Sequence, residues 1–374
     1  MSSPINVRVA MPAVALIAVT AMVTARHTSG DWNFFVGMSK ALFGPDGTSV
    51  YGSHPNIQTG PLSLVAFRLL SIELLNFAWL RALVFLIIEL VVIRALMAAS
   101  ARPLADQGRG GNTTFVISGV VLAFWWPFLA YSGHIDDALV LAIGASAFVL
   151  VARHRRIAAA VLIGIAIAVK PWAVLLIPLT IDLSSWRRRG LLAPLVSAGV
   201  GAALWSPFLL ADARTLDGLR PTVRLAPDSV LRLLGLTAAD LSPSFRSIQL
   251  VLATIAVAAG VLRSRPAAGL LAGFGARLAL DAGTWNYYGT GFIIAAALFE
   301  CWESRSRVPW TVLVATACLA PAWVVPQPEV RAVLRLAACL LPVALVLWPR
   351  HADRARATTE HHNDHVRELI GVTS

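Results

Sequence analysis

Long apolar runs broken by short knots of arginine dominate this chain, and they leave it little choice of solvent. The runs fall near 9–26, 74–98, 114–131, 136–152, 157–169, 172–183, 190–210, 246–262, 267–281, 286–302, 308–325 and 329–348. Crossing the ~30 Å hydrocarbon core of a bilayer takes about 20 apolar residues in a helix. Hydrophobic residues make up 57% of the 374 and charged residues only 14%, against about 25% charged in soluble domains. A soluble enzyme, a disordered chain and a secreted disulfide scaffold are excluded. The expected fold is an all-α polytopic membrane bundle of about twelve spans, a single unit over 1–348. A cytoplasmic, disordered tail is expected over 349–374.

The net charge is +11, and apart from Lys40 and Lys170 its positive part is arginine. A nucleic-acid binder gathers such charge on one soluble face. Here the clusters sit between apolar runs: Arg102 with Arg109, Arg153–Arg156, Arg187–Arg189, Arg263 with Arg265, Arg305 with Arg307, and the tail from Arg350. With the N-terminus inside, twelve spans place every cluster on the cytoplasmic side. The chain is thus expected in the plasma membrane with both termini cytoplasmic. The run at 9–26 resembles a signal peptide but reads better as a retained first helix, because no small-residue cleavage site follows it. Cys301, Cys318 and Cys339 lie in apolar runs without C-x-x-C spacing, as buried hydrophobes do.

The stretch 157–183 tests the count. One long helix would put the flanking arginine clusters on opposite faces, whereas a hairpin turning at Lys170-Pro171 keeps both inside. Its arms of about 12–13 residues reach only ~20 Å, so the turn is expected inside the protein, facing a cavity.

Five segments then share the outer face: 27–73, 133–137, 170–172, 211–245 and 281–288. In the first, residues 31–43 have apolar positions at helical spacing and read as a helix along the membrane surface. A turn at Gly44-Pro45-Asp46-Gly47 and a second amphipathic stretch at 60–73 follow. Asp31, at the exit of the first run, is either an N-cap or a general base whose pKa partial desolvation would raise. Lys170 is either snorkelling or placed to hold a phosphate. Arg220 and Arg224, spaced to share a helical face, sit with Arg214 and Arg232 in a basic outer loop that either docks a lipid phosphate or touches anionic lipid. His134, Asp136 and Asp137 suit sugar hydroxyls, helix capping or, least well, a divalent cation. Asp281, Trp285, Asn286, Tyr287 and Tyr288 offer rings and hydrogen-bonding groups for a sugar, or an interfacial aromatic belt. His361, His362 and His365 in the tail carry no expected metal site.

The pattern Gly30-Asp31…Phe35…Ala41…Gly44…Val50-Tyr51…His54-Pro55…Gly60-Pro61-Leu62, with Gly164…Ala168-Val169-Lys170-Pro171-Trp172…Ile177-Pro178-Leu179, resembles GT-C-fold glycosyltransferases. It is most similar to the actinobacterial polyprenol-phosphate-mannose-dependent mannosyltransferases, over roughly residues 10–300. Ser53-His54-Pro55 departs from the Tyr-Pro-Pro of relatives. The resemblance implies a GT-C-like bundle with its catalytic loop at 27–73, Asp31 as catalytic base, Trp32 beside it, and no metal. It implies an inverting transfer of a sugar, mannose first, from a polyprenyl phosphate to a lipid or glycan acceptor on the outer face. Trp32, Tyr51, His54 and Trp172 join the expected substrate contacts. The competing reading is a secondary transporter or glycolipid flippase. Against it stand the absence of a repeat and the few mid-run charges, chiefly Arg81, Glu89 and Arg94.

Overall fold

A computed structural model describes residues 29–71, 78–101, 111–183, 190–218, 222–304, 306 and 308–347. The expected run at 9–26 and the tail lie outside the described residues, as do Arg102, Arg109, Arg187–Arg189, Arg220, Arg305 and Arg307. The protein is mostly helical. Its longer helices are α1 (Gly30–Leu42), α2 (Pro61–Leu70), α3 (Ala78–Ser100), α4 (Gly111–Ser132), α5 (Ile135–Ala152) and α6 (Arg156–Val169). A 3₁₀ run, Pro171–Thr180, precedes α7 (Leu192–Ala211), α8 (Pro243–Leu262), α9 (Pro266–Ala279), α10 (Tyr288–Trp302), α11 (Trp310–Leu319) and α12 (Pro328–Leu347). Among the described residues, strand pairing is confined to β1 (Val223–Arg224) and β2 (Asp240–Leu241), which are antiparallel.

Each expected run within the described residues falls on a helical segment, and among those residues five helices are long and apolar enough to cross a membrane. These are Leu80–Ser100, Thr113–Ser132, Ile135–Ala152, Leu192–Ala211 and Pro243–Leu262. The chain is therefore a helical membrane protein, and among the described residues the other expected runs, α12 apart, form helices too short to count as such spans. The difference has a physical source. In α10 every residue from Gly289 to Cys301 is buried. A short helix that is apolar all round can owe its composition to protein neighbours rather than to lipid.

The hairpin forms as expected, with a modified second arm. At its base the Arg156 guanidinium donates to the Ile181 carbonyl and lies 3.4 Å from Asp182. The two arms therefore run back alongside each other. The second arm is a 3₁₀ run rather than an α-helix, with Pro171 at its start and Pro178 within it. Proline removes the N–H that an α-helix would need.

The turn leaves carbonyls at the end of α6 without helical partners. Pro171 cannot donate to Ile167, and the Trp205 indole N–H does so instead at 3.1 Å. The Val169 carbonyl accepts from Gly60 N–H at 2.8 Å, Ser63 Oγ at 2.7 Å and Thr59 Oγ1 at 3.3 Å. The first loop is thus stitched to the buried turn. Gly60 permits this contact, because a Cβ there would lie 2.1 Å from the Ala168 carbonyl oxygen.

A second stitch fixes the start of α1. Ser29 Oγ donates to the Ser132 carbonyl at 2.6 Å and accepts from Trp32 N–H at 3.1 Å. Ser29 is the N-cap, and Asp31 lies in the first turn with its carboxylate free for other work. Gly133 sits opposite with φ +74°, and a Cβ there would meet Trp32 Cβ at 2.8 Å. Glycine meets both conditions: the left-handed backbone and the close approach. Elsewhere α8 and α9 approach equally closely, since a Cβ on Gly260 would lie 2.2 Å from Gly269 Cα, the small-residue contact common between membrane helices.

Gly60→Ala is expected to destabilise the protein by about 1–3 kcal/mol, the usual cost of overpacking. Gly30→Ala, where a Cβ would meet nothing within 4 Å, is the control and should leave stability unchanged. Thermal unfolding in detergent micelles checks both.

Candidate functional site

Two acidic residues open α5, and the buried turn of the hairpin brings a lysine to them. Lys170 Nζ lies 2.8 Å from Asp136 Oδ2 and 2.5 Å from Asp137 Oδ2. Trp172 Nε1 donates to the other oxygen of Asp137 at 2.8 Å. Asp137 N–H donates to Asp136 Oδ1 at 2.9 Å. An isolated ammonium is very costly to bury, and so are two adjacent carboxylates. Here each meets the other's charge.

His134, the residue before α5, extends the cluster. Its Nδ1 lies 3.3 Å from Asp136 Oδ1 and 3.5 Å from Asp137 Oδ2, and its Nε2 lies 3.1 Å from Asp31 Oδ2. Its ring stacks on Tyr287 at 4.0 Å. Burial opposes charging of His134, but the carboxylates of Asp136 and Asp31 more than offset it, so its pKa is raised. The hydrogen bond with His134 holds the Asp31 carboxyl below its ordinary value, against the opposing effect of partial burial. The expected upward shift of Asp31 is therefore reversed. The imidazole favours its anion more than desolvation disfavours it.

A cavity of about 250 Å³ opens onto this cluster. Asp31, His134, Lys170 and Trp172 line it, and Asp136 and Asp137 stand behind Lys170. Phe34, Phe35, Asn56 and Gln58 form one side. Arg246, Gln249, Arg277, Trp285, Tyr287 and Tyr288 form the other.

The cations at the cavity differ in how they are paired. Lys170 is held by its two aspartates. Arg246 NH1 donates to both oxygens of Asp281, at 3.1 and 3.2 Å. Gln249 braces the same carboxylate at 3.2 Å and donates to the Arg277 carbonyl at 2.6 Å. The Arg277 guanidinium carbon lies 4.6 Å from the Trp172 ring and 5.1 Å from the Tyr288 ring. Arg277 is buried, and its guanidinium has no carboxylate partner among the described residues. Ring faces stabilise such a cation only in part. This leaves a place for an anion from the cavity.

Several expected contacts lie elsewhere. Trp32 is buried against Phe67, with Arg81 over its other side, and is packing rather than lining. Tyr51 is fully buried between Trp205 and Phe208. His54 turns away to Asp46, 3.0 Å from it. Asn286 is exposed at the turn into α10, and Arg224 is exposed on β1. The extended backbone at Arg224 removes the helical face that it was expected to share with Arg220. Asp281 acts behind the cavity wall, through Arg246. Of the five expected outer segments, 211–245 contributes no lining residue among the described residues.

Arg246, Gln249, Arg277, Asn56 and Gln58 were not anticipated. A signal for the first three was present: charged or amide side chains inside apolar runs are expensive and mark a polar interior. Asn56 and Gln58 had none, because polar residues in a loop are the ordinary case. His134, Asp136 and Asp137 also offer ligand atoms within 4.8 Å of one another. The position that a cation would take between the carboxylates is filled by Lys170 Nζ. Comparison of the chain with protein-family models and with curated proteins gave no match.

Lys170→Met is expected to cost about 3–5 kcal/mol, because it strands two buried carboxylates. Adding Asp136→Asn and Asp137→Asn to Lys170→Met should recover most of that loss. Thermal melts of the two variants beside the parent protein check this.

Proposed function

We propose that this protein is a membrane glycosyltransferase of the GT-C type. It transfers a sugar from a polyprenyl-phosphate donor to a hydroxyl of a lipid or glycan acceptor on the outer face. One observation carries this reading. A carboxylate, Asp31, and a buried guanidinium without an acidic partner among the described residues, Arg277, face the same cavity of a membrane protein. The first suits proton abstraction and the second suits a phosphate.

The reaction needs little else. The donor's leaving group is already a phosphate, so no general acid is required. Asp31 takes the proton from the acceptor hydroxyl as its oxygen bonds to the anomeric carbon. The bond from that carbon to the phosphate oxygen breaks, and polyprenyl phosphate departs with inversion at the sugar. Arg277 meets the phosphate's charge, and Arg246, already held by Asp281, stands beside it. His134 positions Asp31 and keeps it ionised. Lys170 moves from the expected phosphate contact to a scaffolding role, because two aspartates already satisfy it. Its ammonium also supplies the positive charge that a divalent ion would bring, so the reaction is read as metal-independent.

The interrupted hairpin at Lys170 also suits a transporter or flippase. Such a protein would carry a sugar lipid across without making a glycosidic bond, so transfer chemistry separates the two readings.

The test uses membranes from cells expressing the chain, supplied with radiolabelled polyprenyl-phosphate mannose. Wild-type membranes should form labelled glycolipid. Asp31→Asn should lose about 10²–10⁴-fold of the rate, the usual worth of a general base. EDTA should leave the rate unchanged. Equal transfer by wild type and Asp31→Asn would remove Asp31 as the base. Failure of the wild type with lipid-linked mannose, arabinose and galactose alike would overturn the glycosyltransferase reading.

The pH profile is a separate check. The folded-state pKa of Asp31 is lowered from 3.8. The carboxylate is therefore fully ionised above that value and is lost only as pH falls through the lowered one. No acid limb attributable to Asp31 should appear between pH 5 and 8 in kcat/KM.

A further inference from the structure

Trp285 is a large apolar side chain that remains 61% exposed at the rim of the cavity. The loop that carries it is held from three sides. Asp281, at its start, is held by Arg246 and Gln249 and accepts the Gly283 N–H at 3.1 Å. Thr284 Oγ1 donates to Asp228 Oδ1 at 2.6 Å. Arg335 of α12 donates to the Thr284 carbonyl at 3.2 Å and to Asp228 Oδ2 at 2.9 Å. The indole is backed by Gly283, where a Cβ would lie 3.1 Å from its Nε1. A ring presented by a braced loop loses little freedom when a ligand stacks on it.

The first loop supplies the complement. Asn56 and Gln58 both line the cavity, and both are exposed. Ile57 between them is fully buried, and Thr59 and Gly60 are tied to the Val169 carbonyl. The backbone beneath the two amides is thus anchored. Neither amide bonds to another described side chain. Each offers a carbonyl acceptor and two N–H donors, a set that matches neighbouring hydroxyls on a ring. One exposed aromatic face with two free amides is the chemistry that recognises a carbohydrate. An apolar lipid chain would gain nothing from the amides, and a phosphate would gain nothing from the acceptor oxygens.

We propose that Trp285, Asn56 and Gln58 form a carbohydrate subsite at the cavity mouth, the ring stacking on a sugar face and the amides reading its hydroxyls. The proposal rests on the glycosyltransferase reading for its biological meaning, but its test does not.

Saturation-transfer NMR on the full-length protein in a glycoside-free detergent measures binding directly, with methyl α-mannoside, methyl β-glucoside and methyl α-arabinofuranoside as probes. Transfer is expected from the wild type to at least one glycoside, a readout that requires no sugar transfer. Trp285→Ala and the double variant Asn56→Ala with Gln58→Ala should each lose at least fivefold of the signal. Trp285→Phe, which keeps a ring, should retain most of it and guards against misfolding as the cause. No signal from the wild type, or undiminished signal from both variants, would overturn the subsite. Binding without any sugar transfer would keep the subsite and sink the enzyme. Where transfer is active, a rise in KM confined to the acceptor or to the donor in Trp285→Ala identifies whose sugar the subsite holds.

Discussion

The structure around the cavity depends on burying one ammonium beside two carboxylates. Lys170 sits at the broken tip of a helical hairpin, within 2.8 Å of Asp136 and 2.5 Å of Asp137. Neither partner tolerates that environment alone. Once paired, they lock the hairpin tip to the start of α5. That junction places Trp172 under Arg277 and His134 beside Asp31. The indole of Trp172 serves both sides, donating to Asp137 and presenting its ring to the guanidinium.

The broken hairpin creates a second need, which the fold uses. Interrupting α6 at Pro171 exposes carbonyls that a continuous helix would satisfy. Trp205 takes one, and Gly60, Thr59 and Ser63 take another. The loop that carries Asn56 and Gln58 is therefore held at the cavity by the defect that placed Lys170 there. A symmetrical economy appears across the cavity, where the Arg246–Asp281–Gln249 set braces both a lining cation and the loop of Trp285. Rigid placement of this kind suits the proposed transfer reaction, which needs a proton acceptor and an anion-binding group in fixed register.

How far the residues announced these roles varied with the kind of interaction. Charges buried among apolar residues were legible only in part, since Arg246 and Arg277 carry the same signal and were passed over. Asp136, Asp137 and Lys170 stood out because no bland environment accommodates them. Aromatic residues were not legible in the same way. Trp32 and Tyr51 share loop and composition with the true lining residues Phe34 and Phe35, and only helix phase and packing decide which rings face inward. His54 and His134 each follow a glycine- and serine-containing turn, yet one meets Asp46 and the other Asp31. Their partners lie 8 and 103 residues away, and distance along the chain carries no information about the second. The pKa of Asp31 failed for the same reason, since a distant imidazole outweighs local desolvation.

By itself the sequence determined the solvent, the helical class and the hairpin. Those follow from hydropathy, from arginine placement and from the missing N–H of proline, which act locally and need no knowledge of neighbours. It left the number of spans open, because a buried apolar helix and a lipid-facing one have the same composition. The tertiary structure alone decided which charges pair, which guanidinium has no carboxylate partner among the described residues, and which rings line the cavity. Pairing and burial are properties of contacts between segments far apart in the chain. In a low-dielectric interior those contacts, rather than residue type, set the energy of every charged group.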